Sequence, residues 1–113
     1  MAGYYRYPTI HNNKIAFISE DDIWLLNVNN PTAVRLTSNI SQITSPVFSP
    51  NGKQLAFIGT EDGNTEIYII PSIGGPAERI SYDGAFISKI ASWNKDTIYY
   101  TSTIDSPFAR VSD

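Results

Sequence analysis

The sequence predicts an all-β fold assembled from a repeated four-stranded unit, and three observations carry that prediction. First, Leu55-Ala56-Phe57-Ile58 and Glu66-Ile67-Tyr68-Ile69-Ile70 are strand-sized, apolar, rich in β-branched and aromatic residues, and bounded by turn formers. Second, no segment of the 113 residues has the i, i+3, i+4 apolar spacing of an amphipathic helix. Third, the pattern repeats. Lys14-Ile15-Ala16-Phe17-Ile18 matches Gln54-Leu55-Ala56-Phe57-Ile58, Asp22-Ile23-Trp24-Leu25 matches Glu66-Ile67-Tyr68-Ile69, and Val34-Arg35-Leu36-Thr37 matches Glu78-Arg79-Ile80-Ser81. A period of roughly 40 residues with four short strands per copy is that of a β-propeller blade.

In the first copy, about residues 7–43, strands are expected near 8–11, 14–18, 22–28 and 34–37. Asn12-Asn13 and Ser19-Glu20-Asp21 supply its first two reversals. The second copy, about 44–87, should have strands near 46–49, 54–59, 66–70 and 78–81. Its turns are more explicit. In Ser49-Pro50-Asn51-Gly52-Lys53, proline presets one φ angle and Asn-Gly accepts positive ones. Glu61-Asp62-Gly63-Asn64 is the next reversal, and Pro71 with Gly74-Gly75 ends the third strand. Leu55 to Ile58 is too short for a helix and suits a strand buried on both faces. A third copy, about 88–113, lies without gaps from Ser88 to Tyr100 over Ser45 to Phe57. Strands are expected there near 88–92, 97–102 and 108–112.

The expected architecture is therefore about two and a half blades of four antiparallel strands, whereas propellers close with about four to eight. Each blade needs a neighbour on both faces, so the chain is expected either to be the front of a longer protein or to associate with copies of itself. The open strand edge expected at its end favours the first. Exposed blade faces and strand edges also predict self-association of the chain.

Composition narrows the functional classes. With 42% hydrophobic and 17% charged residues the chain is that of an ordinary globular domain. Its net charge of −3, with only 8 unclustered Lys and Arg, gives no electrostatic footprint for nucleic acid. Without cysteine there is no disulfide, thiolate metal site or cysteine nucleophile, which fits a reducing compartment. The N-terminus carries no basic stretch followed by an apolar one, and no apolar run reaches membrane-spanning length, so a cytoplasmic location without membrane partners is expected.

Candidate chemistry is sparse. Glu20-Asp21-Asp22 and Glu61-Asp62-Gly63-Asn64 offer oxygen ligands for a hard cation, but neither follows a calcium-loop spacing and both fall where the repeat requires a hairpin turn. His11 is the only histidine, which rules out a histidine pair for zinc, and it reads as a side chain flanking the Asn12-Asn13 turn. Trp24, Tyr68, Trp93, Tyr99 and Tyr100 could form a stacking platform, yet Trp24 and Tyr68 share one slot of the repeat, which points to blade-to-blade packing. Gly74-Gly75-Pro76 precedes no helix, so it is a loop between strands and not a phosphate cradle. No catalytic, cofactor-binding or metal-ligating residue is assigned.

Ser49-Pro50-Asn51-Gly52-Lys53, the apolar strand, the hairpin leading to Ile67-Tyr68 and the closing Gly74-Gly75 resemble the TolB-type, WD40-like propeller repeat, with Asn51 in place of its usual aspartate. Tyr7-Pro8-Thr9-Ile10-His11, together with Ile15 to Trp24, more narrowly resembles the first blade of the tricorn protease family. Leu36-Thr37-Ser38 and Asp105-Ser106-Pro107-Phe108 fit the same family. That resemblance implies a segment of a six-bladed N-terminal propeller in a large, hexameric, cytosolic serine peptidase, filtering oligopeptides toward a catalytic part that lies elsewhere. It implies peptides as partners of the complete propeller, and no catalytic residue is carried over to this chain. The competing class is a TolB-like propeller acting as a protein interaction module. A dipeptidyl-peptidase propeller is a third, and the absence of a leader ahead of the blades favours the tricorn reading over TolB.

Overall fold

The computed structural model describes residues 6–37, 41–61, 64–81, 87–102 and 109–112. Among them the strands are β1 (Arg6–His11), β2 (Lys14–Ser19), β3 (Asp22–Asn27), β4 (Asn30–Arg35), β5 (Ser41–Phe48), β6 (Gln54–Glu61), β7 (Asn64–Pro71), β8 (Glu78–Arg79), β9 (Ile87–Asn94), β10 (Thr97–Ser102) and β11 (Ala109–Ser112). They form three antiparallel meanders, ordered β1-β2-β3-β4, β5-β6-β7-β8 and β9-β10-β11. Sequential hairpins of this kind need only short turns, which the spacing of the turn residues provides.

The sheets are arranged as a fan. First strands lie against one another, β1 on β5 and β5 on β9, whereas β4, β8 and β11 meet no described strand outside their own sheets. Such convergence of first strands and divergence of last strands is the geometry of propeller blades about an axis.

Period-two alternation places two cores on the two faces of the middle blade. Leu55, Phe57, Tyr68 and Ile70 pack with Ala16, Ile18 and Ile23 of the first blade. Ala56, Ile58, Ile67 and Ile69 pack with Ile87, Ile90, Ile98 and Tyr100 of the third. Leu55 to Ile58 is buried along its whole length, as expected for a strand covered on both faces. Each large aliphatic or aromatic side chain so buried contributes about 1.5–3 kcal/mol. Phe57 and Tyr68, cross-strand partners in the β6–β7 ladder, stack with centroids 5.5 Å apart and ring planes 10° apart.

Several boundaries differ from the expectation. β4 starts at Asn30, not near 34, because Asn27 already pairs with Asn30 across a tight turn. Pro31 is tolerated in it because β4 is an edge strand. β8 starts at Glu78 as expected but is only two residues long, ending at Arg79 and not near 81. The gapless overlay of the third copy is not the structural one. Ile98 pairs with Trp93 as Leu55 pairs with Phe48, so Trp93, not Ala91, occupies the Phe48 slot. The third blade turns tightly between Asn94 and Thr97, whereas the second carries Pro50 to Lys53 between Ser49 and Gln54.

The longer turn of the second blade is tied by its own side chains. Asn51 Oδ1 accepts from the Ser49 hydroxyl at 2.8 Å and from the Lys53 N–H at 2.9 Å. Ser49 Oγ in turn accepts the Gln54 N–H at 3.0 Å. Both bonds to residue 51 need only an acceptor oxygen, so asparagine serves there as aspartate does.

Candidate functional site

Of the singled-out side chains, most are structural. His11 does flank the Asn12-Asn13 turn, but its ring reaches across to the second blade. It lies against the Gly52 backbone and 5.8 Å from the Phe48 ring. In the first acidic cluster, Glu20 and Asp21 form the tip of the β2–β3 hairpin at φ 53° and 65°, the left-handed geometry of a tight reversal. Asp22 turns inward, accepting from the Thr37 hydroxyl at 2.9 Å with Arg35 3.8 Å away. In the second acidic cluster, Asp62 and Gly63 lie outside the described residues. Among the described residues no group of three or more His, Cys, Asp or Glu is placed to hold a metal ion.

The aromatic residues do not converge on a platform. Tyr68 is buried in the core between the first two blades, as the packing reading requires. Trp24, in the matching slot of the first blade, is half-buried and donates its indole N–H to the Ser19 carbonyl at 3.2 Å. Trp93 packs at the edge of the second core and donates to the Lys95 carbonyl at 3.0 Å. Gly74 and Gly75 adopt φ 99° and 130° in the loop after β7, with Gly74 N–H bonded to the Pro71 carbonyl.

A site that composition and motifs do not reveal lies where the first strands converge. Pro8 and Thr9 of β1, Ser45, Pro46 and Val47 of β5, and Lys89 and Ile90 of β9 line an open hollow of about 220 Å³. Its walls are made by bulges. β5 advances from Thr44 to Val47 while β6 moves only from Ile58 to Ala56, one residue fewer. β1 does the same between Arg6 and Thr9, and β9 between Ile90 and Ser92. A bulge bends its strand and re-aims the neighbouring side chains, and it is also a place where proline fits without breaking a ladder.

Ser45 adopts φ 55° at the β5 bulge, directly before Pro46. A residue before proline is disfavoured in helical backbone regions, and left-handed strain of this kind costs about 1–3 kcal/mol. The signal available in the sequence was the pair of prolines, Pro8 and Pro46, inside otherwise strand-like first strands. The hollow offers an apolar floor from Pro46, Val47 and buried Ile90, with the exposed Lys89 at its rim.

Among the described residues no helix is long and apolar enough to cross a membrane. The family described as tricorn protease N-terminal beta propeller domain matches residues 2–113. The chain is similar to a tricorn protease homolog of Saccharolobus solfataricus, 35% identical over 115 residues, covering 97% of this chain and 11% of the relative. It is also 30% identical over 118 residues to a putative tricorn-like protease N-terminal subunit of Sulfurisphaera tokodaii, covering 100% of this chain and 60% of that one. The chain thus spans only part of the length of these relatives. Among solved structures, the tricorn protease matches with a TM-score of 0.77 at 21% identity, over 89% of this chain and 11% of its own. A putative TolB from Agrobacterium tumefaciens matches with a TM-score of 0.66 at 20% identity, over 90% and 39% respectively. These structural likenesses establish the shared propeller fold.

Proposed function

The chain belongs to the tricorn protease N-terminal β-propeller family, and we propose that it guides or filters oligopeptides toward a catalytic domain elsewhere in a cytoplasmic serine peptidase. In this reading the chain supplies walls and selectivity but no catalytic group. The observation that carries it is the convergence of three bulged first strands on one apolar hollow, on the side where a closed ring of blades has its channel. The absence of cysteine suits the reducing cytoplasm.

The test uses the complete protein that carries this chain. Pro8, exposed at the hollow, is replaced by cysteine and capped with a bulky maleimide. Hydrolysis of long oligopeptides is expected to slow, while cleavage of a dipeptide-sized fluorogenic substrate is unchanged. Equal rates on long peptides before and after capping would remove the guiding role.

A second reading, a TolB-like protein-interaction module, is favoured by one feature. Ile73 is 92% exposed at the turn after β7, and Val28 stands 48% exposed at the matching turn after β3. Two apolar tips on the same end of neighbouring blades are a starting point for a protein contact. Replacing both with serine separates the readings, since only the interaction module depends on them.

A further inference from the structure

We infer that the hollow between the first strands is a selective subsite for an extended peptide segment in which an aliphatic side chain stands next to an acidic one. The inference rests on the peptide-guiding reading and names the side chains that the passage prefers.

The hollow's chemistry excludes other occupants. A lone cation over an apolar floor is too little charge for a phosphate or a nucleic acid backbone, and no aromatic ring lines it for base stacking. Main-chain pairing is curtailed at two points, because Pro8 in β1 and Pro46 in β5 lack the N–H that a peptide would need to extend the sheet there. Side-chain contacts therefore carry the selectivity of a peptide lying here.

Two side-chain contacts are available. Val47 and Ile90, with Pro46, form a shallow floor that fits one branched aliphatic group. Lys89 is exposed and, among the described lining residues, alone carries charge, so the complementary neighbour is a carboxylate. The backbone of Lys89 is fixed in β9, where its carbonyl accepts from the Thr101 hydroxyl at 3.5 Å. The strained Ser45 holds the opposite wall, a kind of conformation that persists where surrounding structure fixes a binding surface.

The experiment measures fluorescence anisotropy of dye-labelled peptides blocked at both ends, so that no terminal carboxylate contributes. Each has valine next to glutamate, glutamine or lysine, and each is titrated with the full chain and with its Lys89→Gln and Lys89→Glu variants. The glutamate peptide is expected to bind about fivefold tighter than the glutamine peptide, the upper range for an exposed ion pair. That preference should vanish in Lys89→Gln and turn toward the lysine peptide in Lys89→Glu. Exchanging valine for glycine should weaken binding in all three proteins. Equal binding of the three peptides overturns the subsite but leaves peptide guidance standing. No binding of any peptide overturns both. Lys89 is exposed, and matching thermal melts confirm that the variants share one fold.

Discussion

The hydroxyl of Ser81 donates to the Glu66 carboxylate and accepts the Ile67 N–H at 2.9 Å, so one serine clamps the outermost strand of the second blade to its neighbour. The first blade repeats the arrangement: Thr37 donates to Asp22 and accepts the Ile23 N–H, both at 2.9 Å. Backbone bonds flank each clamp, Leu36 N–H to the Ile23 carbonyl and Ile80 N–H to the Ile67 carbonyl, at 2.8 Å in both cases. Short last strands such as β8 have few ladder bonds, and the clamp compensates for them.

Removing the clamp should therefore cost more in the second blade than in the first. Ser81→Ala takes one hydrogen bond from a carboxylate at 2% exposure and the acceptor from the buried Ile67 N–H, a loss of about 2–3 kcal/mol. Thr37→Ala removes the same two bonds beside Asp22, whose side chain is 18% accessible and can turn to water, so about 1 kcal/mol is expected. Ser81→Thr and Thr37→Ser should be close to neutral. Urea denaturation of the four variants checks the ranking, and equal losses at the two alanine sites would contradict it.

Gly52 illustrates a contact between blades. Its φ is 74°, and a Cβ there would stand 2.3 Å from His11 Cδ2 and 2.6 Å from Nε2. Gly52→Ala should destabilise by about 1–2 kcal/mol from the left-handed backbone alone, and further by displacing the His11 ring from Phe48. In the His11→Ala background the second part disappears. A double-mutant cycle reads the difference directly, and strict additivity of the two changes would show that the ring does not obstruct residue 52.

What the sequence disclosed and what it hid divide along the range of the interactions involved. The doubly buried run Leu55 to Ile58 and the matched pairs Asp22 with Glu66 and Thr37 with Ser81 were legible because they follow from local periodicity and repetition. That those pairs bond to one another was not, since each links residues about 15 positions apart. The turn role of Asn12-Asn13 was visible, but the passage of His11 to the next blade depends on how the sheets pack. The hollow stayed hidden for a similar reason: its bulges are features of pairing register, and register is decided by the partner strand. The third copy was misaligned by a change of turn length: Trp93 takes the slot of Phe48 because the turn from Asn94 to Thr97 is two residues shorter than its counterpart in the second blade.

The β2–β3 hairpin carries a correctable strain. Glu20 and Asp21 both have positive φ, 53° and 65°, in a two-residue turn that favours asparagine and glycine. Replacing the pair by Glu20→Asn and Asp21→Gly should stabilise the chain by about 1 kcal/mol, seen as a higher urea midpoint with an unchanged slope. A fall in the midpoint would mean that these carboxylates do more than close the turn.

The rear face of the first blade gives the last prediction. Each of its apolar positions has a counterpart in the second blade that the preceding blade covers. Phe57, Leu55, Ile70 and Tyr68 are 5% exposed or less, whereas Phe17, Ile15, Leu26 and Trp24 in the same slots are only half-buried. Ile10 is 68% exposed against 6% for its counterpart Phe48. A face built to receive a blade, on a chain that brings none to it among the described residues, should recruit one from another copy. The 113-residue chain is expected to self-associate in a concentration-dependent way in sedimentation velocity, with Trp24 fluorescence shifting to the blue as it does. Trp24→Glu should shift the distribution to monomer without abolishing the sheet signal in circular dichroism, because Trp24 contributes to that face and not to the cores on either side of the second blade. A monomer at all concentrations, with Trp24 emission unchanged, would mean that the rear face is stable in water as it stands.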